Sequence, residues 1–223
     1  MNDNRKTVTK LYKSKYCINE SPVYISDNMS GKMLGIPAIS TSVLCNKNCQ
    51  KRRAIPGSIC EKCFAVNVTN RYSDLEKHLE ENTALLTSRV LKKSELPIFG
   101  NVRVVRFEAF GDLNNETQLI NYANIAKANP GVTFALWTKN FWIVKSVFDH
   151  MRKPKNLVVI QSAYMIDKPM KKANEYIDKV FTVYSKAYIK EHGIEINCGA
   201  RSCASCMRCY SKRTGDDVRE QLK

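Results

Sequence analysis

Short β-branched runs and helical periods alternate along most of the chain. Ala38 to Val43 is a brief apolar stretch. From Ser73 to Lys93, Leu75, Leu79, Leu86 and Val90 recur at four- and seven-residue intervals, one face of a helix. Ser73 offers an N-cap, and Glu76 three residues on completes a capping box. Val102–Phe107 reads as a buried strand. Leu119, Ile120, Ala123 and Ala126 mark a helix over Asn115–Ala128, which Asn129-Pro130-Gly131 stops. Val132–Trp137 is a further strand, Phe141–Met151 a helix, Leu157–Ile160 a strand and Val180–Tyr184 one more.

Strands separated by helices of this length mean repeated βαβ units and a mainly parallel sheet, so the class is α/β. About five strands are too few for a closed eight-stranded barrel, which leaves an open doubly wound sheet or a partly closed barrel. In both, reactive groups gather where strands end and helices begin. The residues after Val43, Phe107 and Trp137 all lie at such ends. Residues 1–30 read as an irregular basic extension and 31–223 as one α/β domain.

Composition narrows the class. The 223 residues are 43% apolar, enough for a core, and carry a formal charge of +15 with a pI near 9.4. No apolar run is long enough for a bilayer span, since Lys139 and Lys145 interrupt Phe134–Phe148. The first ten residues are polar, so the expectation is a cytoplasmic protein with no membrane partner. P-loop, dinucleotide-fold, serine-hydrolase and zinc-protease signatures are all lacking.

The nine cysteines supply the candidate chemistry. An odd count without an export signal does not suit a disulfide framework. Eight fall into two groups, Cys45-x3-Cys49-x10-Cys60-x2-Cys63 and Cys198-x4-Cys203-x2-Cys206-x2-Cys209. Four thiolates suit either structural zinc or an iron–sulfur cluster. The second group carries the Cys-x2-Cys-x2-Cys run typical of clusters, whereas the first looks more like two zinc-ligand pairs. Spacing does not say which sulfurs meet. Cys17 stands alone as a free thiol, and His192 is the one histidine kept as a further metal ligand.

Motif order then brings a resemblance. Ser30-Gly31-Lys32-Met33 with Ile36-Pro37 precedes Cys60-Glu61-Lys62-Cys63-Phe64-Ala65. Arg106-Phe107 with Gly111-Asp112, Phe134 to Lys139, Asn156 to Ser162 and Cys206-Met207-Arg208-Cys209-Tyr210 follow. Over roughly residues 30–210 this resembles the phage-encoded "gene product eighty-eight" type of protein. The resemblance implies a phage or prophage origin, hence the host cytoplasm, and metal-binding cysteines.

A weaker resemblance, over about residues 38–140, is to radical S-adenosylmethionine enzymes, and it implies a partial, open TIM-like barrel with Cys-rich metal-binding loops. Cys49, Cys60 and Cys63 follow the first strand. Glu108-Ala109-Phe110-Gly111-Asp112 stands where those enzymes carry a Gly-Gly-Glu-like segment, and Thr138-Lys139-Asn140 where they carry a Thr-Asn-Gly-like one. The usual Cys-x3-Cys-x2-Cys spacing would put a cysteine at Pro56, and adjacent glycines are lacking before Asp112. The resemblance implies catalytic roles for Glu108, Asp112 and Lys139, and cofactor contacts from Glu108 and Thr138.

Basic clusters at Lys51-Arg52-Arg53, Lys92-Lys93, Arg152-Lys153, Lys171-Lys172 and Lys212-Arg213, with Arg5, Lys6, Lys10, Lys13 and Lys15, suit a nucleic acid or other polyanion. Phe64, Tyr72 and Tyr210 lie near the cysteines and offer rings for stacking, with core packing the plainer role for Phe64. The expectation is an iron–sulfur protein, 4Fe–4S in type and radical-S-adenosylmethionine-like, acting on nucleic acid or nucleotide. The alternative is a zinc-stabilised, non-enzymatic nucleic-acid-binding protein.

Overall fold

Runs rich in Val, Ile, Phe and Thr form the strands, and their alternation sends successive side chains to opposite faces of one sheet. A computed structural model describes residues 10–212 and 217–223. Along the chain come β1 (Ala38–Ile39), α1 (Lys47–Arg53), α2 (Phe64–Thr69), α3 (Ser73–Ser88), β2 (Val104–Phe107), α4 (Glu116–Ala128) and β3 (Thr133–Thr138). Then follow α5 (Phe141–Phe148), β4 (Leu157–Ser162), β5 (Lys179–Tyr184), α6 (Lys186–His192), α7 (Cys203–Cys206) and β6 (Val218–Gln221).

All six strands are parallel and lie in the order of the chain, β1 to β6, in one open sheet. Crossovers to the neighbouring strand, made right-handed, place their connections on the same face. The packing agrees from β1 to β5, whereas the connection from β5 to β6 lies on the opposite face. Val105, Phe107, Phe134, Leu136, Leu157 and Val159 face α3, α4 and α5 in the main core. The intervening Val104, Ala135, Val158 and Ile160 face the other way, onto Ile36, Tyr210, Cys203, Met207 and Cys209. One face therefore carries α3, α4 and α5, and the other carries the second cysteine group with the short α7.

The α/β class and parallel sheet match the pattern, with differences of detail. β6, with the sequence Val-Arg-Glu-Gln, carries one apolar residue and gives no periodic signal. No helix lies between β4 and β5, so that unit departs from βαβ. Tyr72, not Ser73, is the α3 N-cap, and it makes no side-chain cap bond; Glu76 instead accepts a hydrogen bond from the Ser42 hydroxyl. The first strand ends at Ile39 because Ser40, Thr41 and Ser42, all buried, turn into side-chain hydrogen bonds rather than a ladder.

Residues 10–30 form no helix or named strand, yet they are part of the core: Val23 and Ile25 are buried within it. Cys17 packs on the same core and bridges to Phe99; burial raises its thiol pKa to about 11. The N-terminal nine residues, with Arg5 and Lys6, lie outside the described residues, as does Arg213. Among the described residues no helix is long and apolar enough to cross a membrane.

Phe134 sits at the centre, stacked on Phe107 at 5.0 Å between ring centroids and edge-on to Phe99 at 5.8 Å. Phe134→Ala is expected to cost about 3–5 kcal/mol. Urea unfolding should show a lower midpoint with an unchanged slope.

Candidate functional site

Asn46 begins the site. It caps α1, its side-chain oxygen accepting from the backbone N–H of Asn48 and Cys49, and this fixes the turn that presents Cys49. Its amide nitrogen reaches across to the carbonyls of Asp112 at 2.9 Å and Leu113 at 3.2 Å. The helix carrying Cys49 is thus tied to the loop after β2.

Asp112 is the hub of this loop. Its buried carboxylate accepts from the Thr138 hydroxyl at 2.6 Å, from the Lys139 N–H at 3.0 Å and from its neighbour Leu113 N–H at 2.8 Å. Arg52 pairs with it at 3.4 Å. The same guanidinium donates to the Lys139 carbonyl at 3.2 Å and to the Asn140 side chain. Asn140 completes the lattice by donating to the Leu113 carbonyl. Removing either ion of a buried pair leaves the other uncompensated, so this lattice holds only as a whole.

Above it lie three thiols of the first group. Cys49 is buried, and Cys60 and Cys63 are half-buried. Burial pushes the Cys49 thiol pKa far above the ordinary range and Asp112 adds to this, while Lys139, Arg52 and the Cys60 neighbourhood complete its surroundings. Burial likewise raises Cys60, which lies among Lys139, Cys63 and Arg52. The loop carrying Cys60 is pinned by a hydrogen bond from the Ile59 N–H to the Tyr164 carbonyl at 2.8 Å, just beyond β4. Cys45 is exposed, before α1.

Glu108 lies on the inner side of the same sheet end. It takes a left-handed backbone conformation, φ 57°, rare for a residue with a side chain. Its carboxyl is 2% exposed and is surrounded by protein donors: Thr41 N–H and hydroxyl, Gln118 and the Tyr122 hydroxyl. Burial raises its pKa to about 8, against the pull of those hydrogen bonds. A Cβ on Gly111 would stand 2.4 Å from the Thr41 carbonyl and 2.5 Å from the Glu108 carboxylate, so only glycine lets this turn close over them. Glu108 and Asp112 both hold the loop through protein contacts. Thr138 does the same through Asp112, and of the four polar candidates only Lys139 is partly exposed beside the thiols.

The second group sits elsewhere, against the face of the sheet opposite α3, α4 and α5. Cys198, Cys203, Cys206 and Cys209 line one partly open recess, together with Lys32, Met207 and Tyr210. Burial raises the pKa of Cys198, of Cys203 and, to about 12, of Cys209. Two cations adjoin them. Lys32 donates to the Cys198 carbonyl at 3.4 Å and pairs with Glu220 at 3.2 Å. Arg106 lies 3.9 Å over the Trp137 ring and lowers the pKa of Cys203 and Cys209. Among the described residues, no three His, Cys, Asp or Glu side chains converge closely enough to hold a single metal ion.

Other expectations place differently. His192 lies against Tyr188 at 4.0 Å between centroids, at the end of α6. Phe64 is not core: it is 67% exposed. Tyr210 is buried against Trp137, its hydroxyl 3.6 Å from the Met33 sulfur, and cannot stack a base. The sequence reading missed Asn46 and Asn140 as ties and Arg106 as the partner of the second group. An arginine between apolar residues, in Val104-Val105-Arg106-Phe107, was the available signal for the last.

The profile of the family described as Gene product 88 matches residues 1–221. No curated protein matches the chain, and no solved structure does.

Because the Glu108 pKa is raised in the folded protein, its protonated form stabilises the fold at acidic pH, and that contribution is lost as pH rises from about 5 towards 8. Glu108→Gln keeps the shape and removes the titration. Urea unfolding at both ends of this window should show a smaller loss for the variant than for the native chain, and equal losses would refute the assignment.

Proposed function

This chain belongs to the Gene product 88 family, and from that premise we propose that it is an iron–sulfur protein with two cysteine centres, of radical-S-adenosylmethionine-like build, acting on nucleic acid or nucleotide in the cytoplasm of a phage-infected host. The observation that carries the reading is the gathering of Cys49, Cys60 and Cys63 at the C-terminal end of a parallel sheet, beside Lys139 and Arg52. Strands running in chain order with helices on one face are wound as a barrel is, which supports a partial TIM-like barrel. In such folds chemistry is carried at this end.

The donor sets suit the cofactor. Thiolates bound to iron carry negative charge, and each group has its own pair of cations: Arg52 and Lys139 at the first, Lys32 and Arg106 at the second. Burial keeps the free thiols protonated until a metal displaces the proton. A set of three thiols, Cys49, Cys60 and Cys63, with the exposed Cys45 not a ligand, would leave one iron open to S-adenosylmethionine. When bound, a cluster supplies one-electron chemistry. The chain's own part is to hold it: Asn46 fixes Cys49, Asp112 fixes Arg52, and the tie to Tyr164 fixes the Cys60 loop.

A second reading, zinc in a non-enzymatic nucleic-acid-binding protein, is favoured by the four thiols that line one recess at the second group, the ligand count of a structural zinc. Against it stands the failure of any three ligands among the described residues to converge on a point, as tetrahedral zinc demands.

Anaerobically purified protein should be brown, with iron and acid-labile sulfide in equal amounts. Cys49→Ser and Cys203→Ser should each remove about half of both if the two groups hold separate cubanes. Reduced protein should release deoxyadenosine from S-adenosylmethionine, and Cys60→Ser should not. Colourless protein containing zinc alone would discard the radical chemistry, and a brown protein yielding no deoxyadenosine would confine the clusters to a structural or redox role.

A further inference from the structure

Exposed aromatic side chains are concentrated at one end of this molecule. Among the described residues they are Phe64 at 67%, Tyr72 at 62%, Trp142 at 49% and Tyr164 at 36% exposure. All four follow the C-terminal ends of strands: Phe64 and Tyr72 after β1, Trp142 after β3 and Tyr164 after β4. That is the end carrying the first cysteine group. Phe64 is adjacent in sequence to Cys63, and the Tyr164 carbonyl holds the loop leading to Cys60.

Two of these rings are backed by fixed groups. Arg52, locked by Asp112, lies 5.6 Å from the Trp142 centroid, and the buried Phe110 stacks 6.4 Å from Phe64 at 17°. A ring held from behind loses little freedom when a flat partner settles on its open side. The surrounding charge has one sign. From Leu44 to Tyr72 the chain has six cations, Lys47, Lys51, Arg52, Arg53, Lys62 and Arg71, against one anion, Glu61. Lys47, Lys51, Lys62 and Arg71 are exposed.

We infer that this end of the sheet is a docking surface for single-stranded nucleic acid, with bases stacked on Phe64, Tyr72, Trp142 and Tyr164 and phosphates held by Lys47, Lys51, Lys62 and Arg71. The inference deepens the nucleic-acid part of the proposed function by naming an unpaired strand. Base faces are free to stack on rings only when they are not stacked within a duplex, whereas phosphate contacts alone would serve duplex and single strand alike. The surface would bring an unpaired base beside Cys49, Cys60 and Cys63.

The test uses the full chain, with its iron and zinc content measured on the same preparation, and fluorescence anisotropy with labelled DNA and RNA strands of about 12 nucleotides and the matching duplexes. Single strands should bind at least about tenfold tighter than duplex, and Phe64→Ala and Trp142→Ala should each weaken single-strand binding about tenfold. The salt dependence should be unchanged in these two variants, which lose no charge, and shallower in Lys51→Ala with Lys62→Ala. Tyr164→Ala serves where a Trp142 variant fails to fold. Equal binding of duplex and single strand, indifferent to the aromatic variants, would overturn the inference and leave only the general attraction of a basic protein. So would aromatic variants that abolish binding to phosphatidylserine vesicles or self-association while leaving strand affinity intact. Metal-free protein that still binds single strands through these rings would sustain the inference while removing the cofactor reading.

Discussion

The buried pair between Arg52 and Asp112 is the constraint on which the candidate site depends. Two ions taken out of water lose hydration that only good geometry and further hydrogen bonds replace. Here the replacement is spread over two segments: the consecutive Thr138, Lys139 and Asn140 between β3 and α5, and Leu113 from the loop after β2. Because no single segment satisfies the pair, they are held in register with one another. The thiols of Cys49 and Cys60 take their positions from that register, since α1 carries both Cys49 and Arg52. The sheet itself can form without this lattice, but the placement of the first group cannot.

The two cysteine groups use different supports. The first hangs from loops whose polar side chains bond to one another, with Cys49 and Cys63 also packed in a small apolar cluster that includes Val43, Ala65, Val66, Leu79 and Phe110. The second rests on an apolar sheet face, with α7 only four residues long and unable to hold itself as a helix in isolation. Arg106 illustrates the difference. A guanidinium in the middle of a strand is tolerable there because Trp137 covers its flat face and neighbouring thiols supply electron-rich atoms.

Much of the sheet was legible because β2 to β5 are apolar runs buried on both faces, and α4 shows its period and its stop. What escaped has a common physical cause: stability borrowed from elsewhere. β6 is a polar edge strand held by pairing with β5, and α1, of sequence Lys-Asn-Cys-Gln-Lys-Arg-Arg, is a helix through its Asn46 cap and the Arg52 pair rather than through any apolar stripe. Cysteine spacing revealed two groups but not their separation, nor that Cys49 is buried while Cys45 is exposed. Glu108 drew notice as a carboxylate following an apolar strand; its inward turn depends on a left-handed backbone and on Gly111, neither of which leaves a periodic trace.

The covering of the face opposite α3, α4 and α5 has a temporal side. Val104, Ala135, Val158 and Ile160 belong to strands complete by Ser162, but the residues that cover them, Cys203 to Tyr210, come some forty positions later. While the chain is being made, the sheet can assemble against its helices with this face bare, and a bare parallel sheet is a surface on which nascent chains adhere to one another. The interval ends only when the second cysteine group emerges and docks. A metal that gathers those four thiols would then act as a latch on the last step of folding, and a cell short of that metal would accumulate a chain whose helical side is finished and whose opposite side still seeks a partner.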